Sequence, residues 1–317
     1  MSAARDPEFA DIEAAARRIR QYVATTAVVS ATALTRELGG LIEFKCECQQ
    51  QAGAFKSRGA CNAVFALEPA AAAAGVATHS SGNHGAALAR AAQLRGVPAY
   101  IVMPRGAAQI KRAAVAGFGG TLIECEPTLA AREAAAAAVV AETGAHFVHP
   151  YDNPDVIAGQ GTVVLELAGQ IARPDAVLVP VGGGGLLSGS ALAARELWPG
   201  TRVIGVEPAG ADDARRSFAS GRLEPQVEAR TIADGLRGAL SPRTLRLIRA
   251  HVDDIVTVAE SSILAAMQLL YERCGLVVEP SGAVPLAALL EGRARGARIA
   301  VVLSGGNVDR EAFAWLR

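Results

Sequence analysis

The chain has 317 residues, 51% hydrophobic and 20% charged, which is ample sequence for one large or two medium packed domains. Lys+Arg and Asp+Glu number 31 each, so the formal net charge is zero, and the absence of a long basic block argues against nucleic acid and anionic membranes as partners. The N-terminal run Met1-Ser2-Ala3-Ala4-Arg5-Asp6-Pro7-Glu8 has acidic residues and no apolar core, and the alanine-rich runs are broken by charges or glycines, so neither a secretory signal nor a membrane span is expected.

Taken in order, residues 11–22 predict an amphipathic helix, with Ile12, Ala15, Ile19 and Tyr22 at helical spacing. Residues 41–48 alternate as a strand, which would set Cys46 and Cys48 on one face. The five cysteines are odd in number and form no CxxC pair, so buried core thiols and a reducing cytoplasm are expected. Lys56 stands near the start of a helix through 60–67. Residues 76–79 are a short strand before a glycine turn, and 86–94 a helix stopped by Gly96 and Pro98. A strand over 99–103, a helix over 111–118, a strand over 121–125 and a helix over 129–142 capped by Gly144 follow. The second half repeats the rhythm: helix 162–171, buried strand 176–181, helix 185–197, strand 202–206, helices 261–274 and 283–290, strand 298–303. Such alternation predicts an α/β fold with parallel sheets, and a seam at 150–154 divides the halves.

The chemically richest stretch is Ala54-Phe55-Lys56-Ser57-Arg58-Gly59-Ala60. A lysine among small and apolar neighbours loses its proton more easily than a solvated one, because desolvation disfavours the ammonium. A neutral amine is a nucleophile that can form a Schiff base with an aldehyde, and pyridoxal phosphate is the commonest aldehyde cofactor. That cofactor also needs a phosphate cup, a partner for its pyridine nitrogen and a group that orients its ring. Gly182-Gly183-Gly184-Gly185 lies between a buried strand and a helix, where crowded amides and the helix N-terminus suit a phosphate. It is neither a P-loop nor a GxGxxG pattern. Ser80-Ser81-Gly82-Asn83-His84-Gly85 is a second strand–loop–helix junction, whose Asn83 suits either a phenolic oxygen or a helix cap. Ser304-Gly305-Gly306-Asn307 follows the last strand, and Ser304 is either a cap or a neutral pyridine partner.

These pieces together resemble the pyridoxal phosphate (PLP)-dependent serine/threonine dehydratase and serine racemase family, of the tryptophan-synthase-β-like fold. The resemblance covers nearly the whole chain. It runs in family order through Phe44-Lys45-Cys46-Glu47, Gly53-Ala54-Phe55-Lys56, the Asn83 loop, Ala158-Gly159-Gln160-Gly161-Thr162, the tetraglycine loop, Val206-Glu207-Pro208, Ile232-Ala233-Asp234-Gly235 and Leu303-Ser304-Gly305-Gly306-Asn307. It implies a large PLP-binding domain from residues 1–65 and 151–317. A small inserted domain, 75–150, would close on substrate, with the cofactor between the two. By the same resemblance Lys56, beside Phe55, carries the cofactor and serves as general base. Asn83 contacts the ring hydroxyl, Gly182, Gly183, Gly184, Gly185 and Leu186 hold the phosphate, Ser304 meets the pyridine nitrogen, and Glu279 lies near the ring. Ser80, Ser81, Gly82 and His84 surround the bound substrate, with Ser81 as the catalytic hydroxyl of the opposite ring face. Arg132, Gly235 and Gly238 border its side chain. The implied reaction is β-elimination from an L-serine/L-threonine-type 3-hydroxy amino acid to a 2-oxo acid and ammonia. Racemisation is the alternative, and a cytoplasmic homodimer is implied.

Some positions depart from parts of the family. Nothing follows Arg317, so the allosteric domain of biosynthetic threonine dehydratases is not expected. Ser81 precedes Gly82 where many threonine dehydratases have alanine, as in racemases and hydroxyaspartate dehydratases. Tyr151 and Gly238 replace polar pocket residues of vertebrate-type serine racemases. Gln51, Ala52 and Ala86 replace that enzyme's nucleotide contacts, so ATP activation is not expected. Arg132 turned inward would favour an anionic substituent, as in 3-hydroxyaspartate. Turned outward, it would leave room at Gly238 for a larger group, as in 3-phenylserine. Finally, Glu207-Pro208-Ala209-Gly210-Ala211-Asp212-Asp213 resembles the divalent-cation loop of serine racemases. The Glu207 and Asp213 carboxylates and the Ala211 carbonyl would offer a hard oxygen site to Mg2+ or Ca2+.

Overall fold

The computed structural model describes residues 5–316 apart from positions 32, 33, 35, 36, 81, 108 and 227. The first half runs α1 (Phe9–Ile19), β1 (Val28–Ser30), β2 (Leu41–Lys45), α2 (Lys56–Ala66), α3 (Pro69–Ala72), β3 (Val76–His79), α4 (Asn83–Arg95), β4 (Ala99–Pro104), α5 (Gln109–Gly117), β5 (Thr121–Cys125), α6 (Leu129–Thr143) and β6 (His146–Phe147). The second runs α7 (Pro154–Ala168), β7 (Ala176–Pro180), α8 (Gly185–Leu197), β8 (Arg202–Pro208), α9 (Asp213–Ser220), α10 (Pro242–His251), β9 (Asp254–Val258), α11 (Glu260–Cys274), α12 (Pro280–Leu290) and β10 (Arg298–Val302).

Among the described residues two sheets form. One has the order β1-β2-β10-β7-β8-β9, the other β5-β4-β3-β6. Every neighbouring pair is parallel except β1 with β2. Parallel strands covered on both faces read as unbroken apolar runs, and β7 is buried along its whole length. The side-chain period of two sorts its residues. Leu178 and Val301 face a core with α11 and α12, whereas Val177, Val179, Ala300 and Val302 face α1, α7, α8 and α10. In the smaller sheet Ile101 and Met103 pack towards α4, and Ala77 and Val102 towards α6.

Two sequence expectations are corrected. The strand through 41–48 stops at Lys45, and Glu47–Gln49 is a 3-10 turn, so Cys46 and Cys48 do not alternate on a strand face. The turn is fixed by Glu47, whose buried carboxylate takes the Arg58 guanidinium at 2.7 and 2.8 Å and the Thr26 hydroxyl at 2.6 Å. The helix expected over 162–171 begins instead at Pro154 and ends at Ala168. Asn153 caps it by accepting from the Val156 amide, and Pro154 occupies its first turn. Gly159 and Gly161 look like breakers but are contact points. A Cβ on Gly159 would lie 2.6 Å from the Gly59 Cα, and one on Gly161 would lie 2.8 Å from the Gly189 carbonyl. Three helices, α2, α7 and α8, thus cross at glycine distance.

Candidate active site

The site assembles where strands end. The loop after β2 leads into Lys56, the loop after β7 is the tetraglycine run, and the loop after β10 begins at Ser304. From the other sheet, the loop after β3 carries Ser80, Gly82 and Asn83. Carboxyl ends of parallel strands are where open α/β sheets bind ligands. The loops are tied by backbone bonds: the Phe55 amide donates to the Ser304 carbonyl at 3.0 Å, Gly306 to Gly53 at 2.9 Å, and Glu279 to Gly305 at 3.0 Å.

Lys56 is the first residue of α2, and its Nζ donates to the Pro150 carbonyl at 2.8 Å. The ammonium lies 5.1 Å from the Phe55 ring centroid. Part of the side chain faces the cleft, yet the surrounding protein strips the ammonium of water and pulls its pKa down to about 8. The neutral amine that the sequence predicted is therefore accessible near physiological pH.

Asn83 opens α4 and links three segments. Its amide donates to Glu279 at 2.6 Å, and its carbonyl accepts from Asn307 at 3.0 Å. Asn307 also donates to the Ala52 carbonyl at 2.8 Å. One Asn83 hydrogen stays available to a ligand. Glu279 is buried, and burial pushes its pKa up to about 7, opposed by Lys111 and the Asn83 bond and reinforced by Asp234. Its second carboxylate oxygen is buried without a protein partner.

Gly182, Gly184 and Gly185 are buried, with Leu186 in the first turn of α8. Gly184 has φ +86° at the helix N-cap, a conformation that side chains rarely adopt. A Cβ on Gly182 would lie 2.9 Å from the Leu236 Cα, and Gly183 lies against the Tyr151 ring. The Ser188 hydroxyl, also in the first turn, is buried and without a protein partner. Free amides at a helix N-terminus, unpartnered buried polar atoms and a desolvated lysine fit an anionic aldehyde cofactor.

Ser80 and Ser304 are buried beside this cleft, Gly82 caps α4, and Ser81 lies outside the described residues. His84 is buried and held neutral by burial, with Nε2 3.4 Å from the Val148 carbonyl. Arg132 is half-buried on α6, and its Nε reaches the Thr128 carbonyl at 3.4 Å. Its charge reaches two neighbours of the site: burial lowers the His79 pKa with Arg132 adding to it, and burial raises that of Tyr151 with Arg132 opposing. Gly235 donates to the Ser281 hydroxyl at 3.0 Å. A Cβ on Gly238 would lie 3.8 Å from the Tyr151 ring, so Tyr151 bounds the space that glycine opens.

Glu207, Ala211 and Asp213 are all buried. Glu207 accepts from the Ala214 amide at 3.2 Å and the Arg215 amide at 2.7 Å, and Asp213 from the Leu240 amide at 3.3 Å. Burial raises Glu207 to about 8, with Asp213 and Asp212 adding to it, and raises Asp213 to about 6, with Asp212 adding and the Leu240 amide and Arg216 opposing. Two buried carboxylates held only by backbone amides fit a hard cation. No group of three or more His, Cys, Asp or Glu side chains gathers at metal-binding distance among the described residues.

Sequence reasoning missed Asn307 as a bridging group and missed Lys111 with Asp234, which pair at the cleft mouth. It also missed the buried ion network of Lys45, Glu47, Arg58 and Glu166 that holds α2. Alternating charge types at 45, 47 and 58 were the available signal.

Two parallel sheets with a desolvated lysine and an amide-lined glycine loop at their strand ends suit an enzyme built around an aldehyde-bearing phosphate cofactor. The chain belongs to the pyridoxal-phosphate dependent enzyme family, which it matches over residues 19–305. It is 47% identical to a β-hydroxyaspartate dehydratase of Paracoccus denitrificans (strain Pd 1222), over 98% of this chain and 99% of the relative. It is also 47% identical to a serine racemase of Arabidopsis thaliana, over 98% and 96%. The solved structure of maize serine racemase superposes with a TM-score of 0.95 at 44% identity, covering 97% of this chain and 96% of that one. No helix among the described residues is long and apolar enough to cross a membrane.

Proposed function

We propose that this chain eliminates water and then ammonia from an L-serine/L-threonine-type 3-hydroxy amino acid, releasing a 2-oxo acid. The observation that carries the reading is the Lys56 amine, buried to a pKa of about 8 and held by one carbonyl at the meeting of the strand-end loops. When bound, PLP supplies an electron sink that acidifies the substrate Cα–H. Lys56 would hold the cofactor through its aldehyde, and its free amine would take the Cα proton as general base. The amides of 182–186 and the N-terminus of α8 hold the phosphate. Asn83 and Glu279 would hold the ring, and Ser304 would offer its nitrogen a neutral hydroxyl, a weak sink that favours prompt elimination over transamination. The 3-hydroxyl departs as water. Hydrolysis of the remaining unsaturated amine gives ammonia and the 2-oxo acid.

In this reading residues 75–150 form the small domain that closes over substrate, and Ser80, Gly82 and His84 line its carboxylate side. Arg132, Gly235 and Gly238 border the substrate side chain. The hydroxyaspartate dehydratase relative favours 3-hydroxyaspartate over 3-phenylserine, and Arg132 turned into the site would pair with its second carboxylate. Glu207, Asp213 and the Ala211 carbonyl hold Mg2+ or Ca2+, and the enzyme acts as a homodimer. Racemisation is the second reading, favoured by the equally similar plant serine racemase. There Ser81 would reprotonate Cα from the opposite face. The test is a 2-oxo acid assay of the holoenzyme over all stereoisomers of serine, threonine, 3-hydroxyaspartate and 3-phenylserine, with chiral analysis of recovered substrate. Inversion without 2-oxo acid would select the racemase, and no turnover of any kind would overturn both.

A further inference from the structure

Besides the Asn83–Glu279 bond, the layers of the two sheets are joined at the cleft by a buried charge. Lys111 lies on α5, beside the smaller sheet, and is 7% exposed. Its ammonium pairs with Asp234, which lies on a 3-10 turn beside the larger sheet and keeps 41% of its side chain exposed. The partners are 123 residues apart in sequence. Lys111 also reaches into the site, since a Cβ on Gly82 would lie 3.4 Å from its Nζ. A buried ammonium without a partner costs more than the pair does, so separating the sheets here must either hydrate Lys111 or strand it.

The acidic partner is held in advance. The Ile232 amide donates to the Glu260 carboxylate at 2.8 Å, Arg237 donates to the Thr231 carbonyl at 2.6 Å, and the Gly235 amide is fixed to Ser281. Leu236, two residues on, backs Gly182 of the glycine loop. Asp234 is therefore a rigid anchor joined to the loop that lines the cleft, and Lys111 is the counter-charge carried by the opposite wall. We propose that Lys111 and Asp234 are paired positioning residues, an electrostatic latch that holds the smaller sheet's layer against the larger across the active-site cleft. An open cleft binds substrate productively only in its closed fraction, so the latch sets the apparent affinity. That kinetic consequence rests on the proposed function, whereas the latch itself does not.

The experiment is a double-mutant cycle on the holoenzyme with K111M, D234N and the double variant, read by hydrogen exchange and by kinetics. K111M should speed exchange of the 231–237 amides, and D234N should speed that of the 109–117 amides, each on the wall opposite the substitution. The double variant should be no worse than either single. KM should rise about fivefold to tenfold in each, within the range of conformational couplings, with kcat changed less. Exchange that changes only on the substituted wall, or effects that multiply in the double variant, would overturn the latch. Asp234 is partly exposed, so D234N keeps the fold and the test even should K111M fail to fold. Hydrogen exchange needs no turnover, so a holoenzyme inactive on every amino acid offered still decides the question.

Discussion

At the residue scale, Lys56 gathers most of the chemistry, and its pKa has a consequence that can be measured. A solvated lysine is neutral only above about 10.4. Burial brings Lys56 to about 8, so its neutral fraction rises through that pH and then levels. Capture of pyridoxal phosphate by the apoprotein should quicken up to about pH 8 and flatten above it, followed by absorbance. A rate that keeps climbing to pH 10 would contradict the desolvation. Lys56→Ala should abolish the yellow absorbance and nearly all turnover, because one substitution removes anchor and base. Borohydride trapping of the cofactor on a different lysine would refute the assignment. Lys56 and the tetraglycine loop were legible in the sequence because their chemistry is local: apolar neighbours beside an amine, and four consecutive residues without side chains. Lys111, Asp234 and Asn307 were not, because each acquires its role from a partner more than a hundred residues away. Tyr151 was visible as a substitution, yet only the fold shows that it lies against Gly183 and across from Gly238.

At the element scale, the alternation of apolar runs with helical periods placed most strands to within a residue or two, since buried parallel strands advertise themselves by composition. The strands at 28–30, 146–147 and 254–258 are short or half-buried, and the sequence pattern left them unread. The late start assigned to α7 had a different cause. Glycine lowers helix propensity, so the pattern is weak before Thr162, whereas Gly159 and Gly161 let α2, α7 and α8 touch. Gly159→Ala should therefore destabilise despite alanine's better helix propensity. The propensity gain is about 1 kcal/mol, and overpacking against Gly59 and the Arg58 carbonyl costs about 1–3 kcal/mol. Because α2 begins at Lys56, cofactor affinity should fall as well. Gly117→Ala is the control: its Cβ would meet nothing within 4 Å, so it should be neutral or stabilising by up to about 1 kcal/mol. Urea midpoints of the two variants decide it, and equal effects would mean that the glycine crossing is not tight.

At the scale of the whole molecule, the proposed cation site joins parts that the cofactor site does not. Glu207 is the penultimate residue of β8, Asp213 begins α9, and the Leu240 amide that Asp213 accepts from lies two residues before α10. Burying two carboxylates side by side without a cation is costly, because each loses water and repels the other. A divalent ion turns that cost into a link between a strand end and two helices, and only the folded chain presents the set. Binding to the folded state alone stabilises by about 2.7 kcal/mol at a hundredfold excess over Kd. Chelation should accordingly lower the melting temperature of the holoenzyme, and Mg2+ or Ca2+ should restore it. Asp213→Asn should melt at one temperature with or without the ion, since the site loses a charge while keeping its shape and its amide contact. The size of the restoration across a series of ions should favour hard, oxygen-seeking cations over thiophilic ones. A chelated wild type that melts unchanged would remove the cation from this loop and leave the carboxylates buried as neutral acids.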